Sequence, residues 1–221
     1  MDQIEHLRDL VKERYPGKKR MVQFEGQMSA GERVAASATQ QDLGFSFTSD
    51  DGKQIFQARL NGFTFSRLRP YGKWIELRNE ARRLWDIYAV HLKPNRITRV
   101  AVRYINQIDI PSSQIDYKDY FRTGPEVSPD LPQGLSRFFM QLQFPQNDFG
   151  GLLILTQTVV PPASLGTTSV ILDIDVFKEI HEIQDEEVWD LLEILRTRKN
   201  EFFEGSLQNK TRDLFGPSME Y

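Results

Sequence analysis

FTFSRLRPYGKWIELRNEARRLWDIYAVHLKPNRITRVAVRYIN, Phe63 to Asn106, is the stretch on which the fold turns. Phe63, Phe65, Arg67 and Arg69 sit at every second position, the spacing of one strand face, until Pro70-Tyr71-Gly72 breaks the run. Trp74, Leu77, Ala81, Leu84, Trp85 and Tyr88 then recur at helical spacing, and Pro94 stops the helix. A long strand from Ile97 to Ile110 follows. Val100, Val102, Tyr104, Asn106 and Ile108 form one of its faces, and Arg99, Ala101, Arg103 and Ile105 the other. Strand, helix and strand in this order predict one βαβ unit with positive charge concentrated upon it. The stretch carries no recognisable catalytic device.

Upstream, Ile4, Leu7, Leu10 and Val11 form a helical stripe that Pro16-Gly17 ends. Lys18 to Gly31 shows no clear period, and Ala35 to Asp42 reads as a polar loop. Leu43, Phe45 and Phe47 alternate with small and polar residues. After Asp50-Asp51-Gly52, Phe56, Ala58 and Leu60 do the same, and Asn61-Gly62 reads as a second hairpin turn. Three antiparallel strands in a meander result.

Downstream, Pro111 to Gly134 is a proline-rich connection with a short helix at Tyr117–Phe121. Strands follow at Arg137–Phe144, Gly151–Val160 and Thr168–Val176, the first with Phe138, Met140, Leu142 and Phe144 inward. A last helix opens with Asp185 as N-cap and Glu186 and Glu187 in its first turn, where the helix dipole favours negative charge. Its stripe is Val188, Leu191, Leu192, Leu195 and Phe202. Its end is basic (Arg196, Arg198, Lys199), Gly205 closes it, and Asn209–Phe215 forms a final turn. The expected fold is α+β: a curved antiparallel sheet in two meander halves, each with a long helix packed on it. The expected organisation is a single domain, 1–221, with halves 1–110 and 135–221 joined by 111–134.

Composition limits the chemistry. Fifteen phenylalanines supply an aromatic core, and the absence of cysteine excludes disulfides, thiolate metal sites and a cysteine nucleophile. No apolar run approaches the ~20 residues of a membrane helix, and the amino terminus lacks a secretory apolar segment. A cytoplasmic protein without a membrane partner is expected. The net charge of −3 hides an asymmetry. Eleven Lys and Arg against three acids lie between Arg59 and Arg103, and nine acids against one Lys between Asp173 and Glu193. Such blocks are either compensating faces of one fold or a basic surface for an anionic partner.

Trp85-x-x-Tyr88 followed by Arg103-Tyr104-Ile105-Asn106, together with LRDLVKERYP (Leu7–Pro16) and FFEGSLQNKTRDLFG (Phe202–Gly216), resembles a sporadically distributed family of uncharacterised bacterial proteins. The resemblance covers most of the chain. It implies a further strand before the first helix, so that this chain either lacks that strand or begins downstream of it. Patchy distribution is similar to that of mobile defence and toxin–antitoxin genes.

Among candidate sites, Arg99 and Arg103 stand four apart on one strand face, about 13 Å at the rise of a strand. With Arg67 and Arg69 they can line a cleft for phosphates or carboxylates, which guanidinium forks bind in pairs. Alternatively they pair with Asp173 and Asp175 across the sheet. Those two aspartates can also hold a divalent metal, but no third ligand stands at a fixed spacing. Trp74, Trp85, Tyr88 and Tyr104 read as structural. So does Asn106, whose buried amide needs a backbone partner. His6, His91 and His181 are isolated, and neither a metal nor a cofactor is expected. The sequence thus predicts a non-enzymatic binding protein that recognises a macromolecule, for example a protein encoded beside it, as an antitoxin or immunity component does. Two alternatives stay open. One is a sensor holding an anionic ligand or nucleotide between Arg67, Arg69, Arg99 and Arg103, or binding nucleic acid there. The other is a metal-dependent phosphotransfer or nuclease enzyme using Asp173 and Asp175.

Overall fold

Phe45, Phe47, Phe56 and Ala58 alternate on adjacent strands, and their inward faces are the floor of the first of two sheets. The computed structural model describes residues 2–29, 35–180 and 185–216. It divides into two compact units, Met1–Asn95 and Arg96–Tyr221.

The N-terminal unit runs α1 (Asp2–Val11), β1 (Gly17–Ser29), β2 (Ala35–Thr48), β3 (Gln54–Arg59), β4 (Gly62–Arg67) and α2 (Trp74–Leu92). Its strands form an antiparallel meander in the order β1-β2-β3-β4. Ile4, Leu7 and Val11 of α1 and Leu84 and Tyr88 of α2 close over the phenylalanine floor, with Trp85, Ile87 and Leu92 packed at its margin. Phe47 stacks on Phe56 at 5.5 Å, and Phe63 meets Trp85 edge-on at 5.6 Å, so ring geometry adds to area burial. Lys93 takes a left-handed backbone (φ 47°) at the end of α2 and returns its N–H to Ala89 O. Pro94 then prevents continuation.

Two expectations fail here for visible reasons. The stretches read as ambiguous and as a loop are the paired strands β1 and β2. Their chemistry hides them: Lys18 lies on the Phe45 ring and reaches Glu5, and Arg20 meets Asp42, so charged residues cover a strand that has few apolar ones. The register slips between Met21 and Val22 opposite Leu43, where Gly44 adopts φ 148°. The second hairpin turn is Leu60-Asn61, not Asn61-Gly62, because Arg59 pairs directly with Gly62. Neither loop residue has a positive φ.

The C-terminal unit comprises β5 (Arg99–Ile110), α3 (Tyr117–Tyr120), β6 (Phe139–Gln146), β7 (Gly151–Val160), β8 (Thr168–Glu179), α4 (Asp185–Ser206), α5 (Asn209–Arg212) and a 3-10 turn (Asp213–Phe215). Its antiparallel sheet has the order β5-β8-β7-β6. This overturns the predicted βαβ unit. β5 does not join β4 but pairs along its whole length with β8, from Arg99 opposite Glu179 to Ile110 opposite Thr168. The expected half 1–110 therefore loses its last strand, and the division falls at Asn95/Arg96. Pro145 is tolerated because β6 is an edge strand.

Helix α4 packs on β5 and β8. Its buried line is Trp189, Leu191, Leu195, Lys199, Phe203 and Ser206, with the expected Val188, Leu192 and Phe202 half-buried beside it. Lys199 is thus no basic helix terminus, since α4 continues to Ser206 and Gly205 lies within it. The helix begins at Asp185, and the residues that would cap it lie outside those described, as does His181. The fold is α+β, with two antiparallel four-stranded sheets and a long helix on each. No helix among the described residues is long and apolar enough to cross a membrane.

Candidate functional site

The four predicted arginines separate. On the outer face of the C-terminal sheet, Arg103 grips Asp173 with two guanidinium nitrogens, Nε at 2.9 Å and Nη2 at 2.5 Å. Arg99 donates to Asp175 at 3.1 Å and covers the Phe177 ring at 4.1 Å. Neither pair is directly opposite in the β5–β8 register, in which Arg99 faces Glu179, Arg103 faces Asp175 and Ile105 faces Asp173. The carboxylate pairing weighed against a ligand cleft is what forms. Asp173 and Asp175 are engaged by arginine, and no group of three or more His, Asp or Glu among the described residues is placed to hold a metal.

Arg67 and Arg69 belong to the N-terminal unit, so no cleft within either unit gathers all four. Arg69 lies past the end of β4, exposed, with a cis peptide bond to Pro70. Of the four, Arg67 lines the cleft described below. It donates to Glu76 at 2.9 Å, and its guanidinium lies against Gly72, where an added Cβ would stand 2.5 Å away.

The structural assignments are concrete. Trp85 and Tyr88 stack at 5.6 Å, and the Tyr88 hydroxyl donates to Arg59 O at 2.9 Å. Trp74 is half-buried at the start of α2. Asn106 braces the adjacent strand, its Nδ2 donating to Leu172 O at 3.0 Å. Tyr104 lies under the Lys199 ammonium, whose nitrogen is 3.8 Å from the ring centroid.

The cleft that Arg67 enters has a volume of about 400 Å³, and its walls include Arg14, Gln54, Phe65, Glu80 and Arg83. Its centre is Glu80. Both carboxylate oxygens are saturated: Oε1 accepts from Tyr15 Oη (2.7 Å) and Arg83 Nη2 (2.7 Å), Oε2 from Arg14 Nη1 (2.8 Å) and Arg83 Nε (3.0 Å). Burial pushes the Glu80 carboxyl up, but the bonds from Arg83 and Tyr15 and the charges of Arg83 and Arg14 outweigh it and hold the group below its usual value. Burial, and then the bond to Glu80, raise the Tyr15 hydroxyl well above its ordinary range. The hydroxyl also stands 2.8 Å from Gln54 Oε1, yet it has one proton. The carboxylate is the stronger acceptor, so the Gln54 amide must turn its NH₂ toward the hydroxyl.

Glu80 therefore neutralises one cation and aims two. Arg14 keeps most of its guanidinium edge open, with 58 % of its side chain exposed, and the Arg83 side chain is about one-third exposed. With Arg67 and Glu76 cancelling, one positive charge remains. The arrangement can accept a monoanion by paired N–H donation.

Sequence reasoning found Arg67 and missed Arg14, Tyr15, Glu80 and Arg83. One signal was present: Glu76, Glu80 and Arg83 recur four and three apart on the helical face off the apolar stripe. A scan of family models finds no match to this chain, and searches of curated proteins and of solved structures find none either.

Proposed function

We propose that this chain is a non-enzymatic binding protein whose N-terminal unit takes up an anionic group in the arginine cleft, as a sensor does. The observation that carries this is the convergence of Arg14, Arg67 and Arg83 on one cleft, with Glu80 orienting two of them and Glu76 the third. Preorientation matters because an anion then meets donors whose conformational entropy is already lost. The engaged arginines of the C-terminal sheet face support no such site. On this reading the sensor acts in the cytoplasm and passes occupancy to a protein encoded beside it, in line with a defence or immunity role and with the family resemblance around Trp85 and Asn106.

Calorimetry and thermal melting with acetate, citrate and inorganic phosphate test the proposal. Saturable binding is expected of the monoanion acetate before the multiply charged citrate and phosphate, and a ligand at one hundred times its Kd stabilises by about 2.7 kcal/mol. Binding should vanish in Arg14→Ala/Arg67→Ala and weaken in Gly72→Ala, whose methyl displaces only the far end of Arg67. An equal response in wild type and double variant would refute the cleft as the site.

A further inference from the structure

The arginine cleft continues into a second depression of opposite character. Arg14 and Gln54 are walls of both; beyond them the second depression, of about 270 Å³, is lined by Tyr15, Ser49, Asp50 and Asp51. Those last three residues form the β2–β3 turn, which Gly52 closes by donating its N–H to Ser49 O at 2.9 Å. Asp51 is fixed in place: its Oδ1 accepts from Ser49 Oγ at 2.6 Å and from Lys53 N at 3.0 Å. Its other oxygen, and both oxygens of Asp50, have no partner among the described residues. One lobe thus offers guanidinium N–H edges and the adjoining lobe offers carboxylate oxygens, with Arg14 and Gln54 at the join.

We infer that the ligand of this groove is a zwitterion, a free amino acid or short peptide whose carboxylate enters the arginine lobe and whose ammonium enters the Asp50–Asp51 lobe. The inference rests on the anion-binding reading above. Three features favour this class over a simple anion. The carboxylates of Glu76 and Glu80 in the first lobe repel a second negative charge, which disfavours phosphate dianions against a monocarboxylate. Gln54 and Asn79 add amide groups suited to a peptide unit, and Phe65 and Leu77 add an apolar wall for a side chain. A lone anion leaves the free oxygens of Asp50 and Asp51 without a hydrogen-bond donor, whereas an amine on the same ligand supplies one. Opposed charge lobes also align a dipolar ligand in one direction only, which is how charge patterning confers specificity.

The test uses the full chain and four probes: an equimolar mixture of the twenty amino acids, a random tripeptide library, and the N-acetylated form of each. Thermal melting reads binding, and mass spectrometry identifies what the protein retains. One unmodified set should raise the Tm by several degrees, the amino-acid or the tripeptide arm telling which source applies. Its N-acetylated form should give less than half that shift. Asp50→Asn/Asp51→Asn, at an exposed turn, should keep the wild-type circular dichroism and respond equally to both forms. Equal shifts from acetylated and unmodified sets in wild type overturn the inference and leave the anion reading standing. So does a response to citrate or phosphate with none to either unmodified set. Silence towards every anion sinks both.

Discussion

Replacing Lys199 by methionine should stabilise the C-terminal unit, and by an amount that depends on pH. Lys199 is 4 % exposed on the inner face of α4, without a hydrogen bond or ion pair among the described residues. Its surroundings are the Tyr104 ring at 3.8 Å and the Phe203 ring at 5.8 Å, with Arg196 and Glu204 as the nearby charges on its own helix. Burial, and then Arg196, lower its pKa from 10.5 to about 8. At 1.36 kcal/mol per unit that depression corresponds to roughly 3 kcal/mol of cost for the ionised form. The attraction of the ammonium to the Tyr104 face, up to about 2 kcal/mol when desolvated, works against it. A net cost of about 1–3 kcal/mol remains. Methionine has similar length and no charge. The folded pKa lies below the unfolded one, so the cost is constant below the folded value and disappears as pH rises from about 8 to 10.5. Lys199→Met should therefore be more stable than wild type at pH 7, and the gap should narrow by about 1–3 kcal/mol by pH 10.5. Urea unfolding in a Trp74→Phe/Trp85→Phe background, with buried Trp189 as the reporter, measures this. Other alkaline titrations are common to both proteins and cancel. A gap that does not change with pH, or a methionine variant less stable at pH 7, refutes the argument that the ammonium is buried at a cost.

Gly44→Ala should cost more than about 3 kcal/mol, because at φ 148° its Cβ would stand 2.1 Å from Ala58 O on the next strand, and backbone must move. Urea denaturation followed through Trp85 checks it; a loss under 1 kcal/mol would contradict the described β2–β3 contact. A double-mutant cycle on Arg103→Ala and Asp173→Ala should give a coupling of only about 0.5–1 kcal/mol, since 55 % of the Arg103 side chain is exposed, and salt should reduce it. Zero coupling at low salt would mean that the two residues prefer solvent to each other.

What the sequence showed follows from how each element is buried. The α2 stripe and the Phe45–Ala58 hairpin were legible because one face is apolar and the other polar. β5 was recognised as a strand but assigned to the wrong sheet. Chain neighbours usually pair, and nothing in Arg99–Ile110 announces that its partner is β8. β1 was invisible because its inner face uses the stem of Lys18 where an apolar residue is expected. Lys199 reads as one of three basic residues towards the helix end, and nothing in its sequence neighbourhood shows that α4 turns it inward onto Tyr104. The cleft was legible only in part, since Arg14 and Tyr15 meet Glu80 through tertiary packing and a charge count ranks every arginine alike.

The pairing of β5 with β8 also bears on how the chain is made. Every strand of the N-terminal sheet pairs with its immediate successor, so that unit can assemble as soon as α2 has left the ribosome. The second sheet opens with a strand whose partner is the last one synthesised, Arg99 waiting for Glu179. Until then β5 is a nascent edge with no ladder, and closing so large a loop is entropically slow. Translation speed between these two segments, and chaperone occupancy over them, should therefore bear on yield.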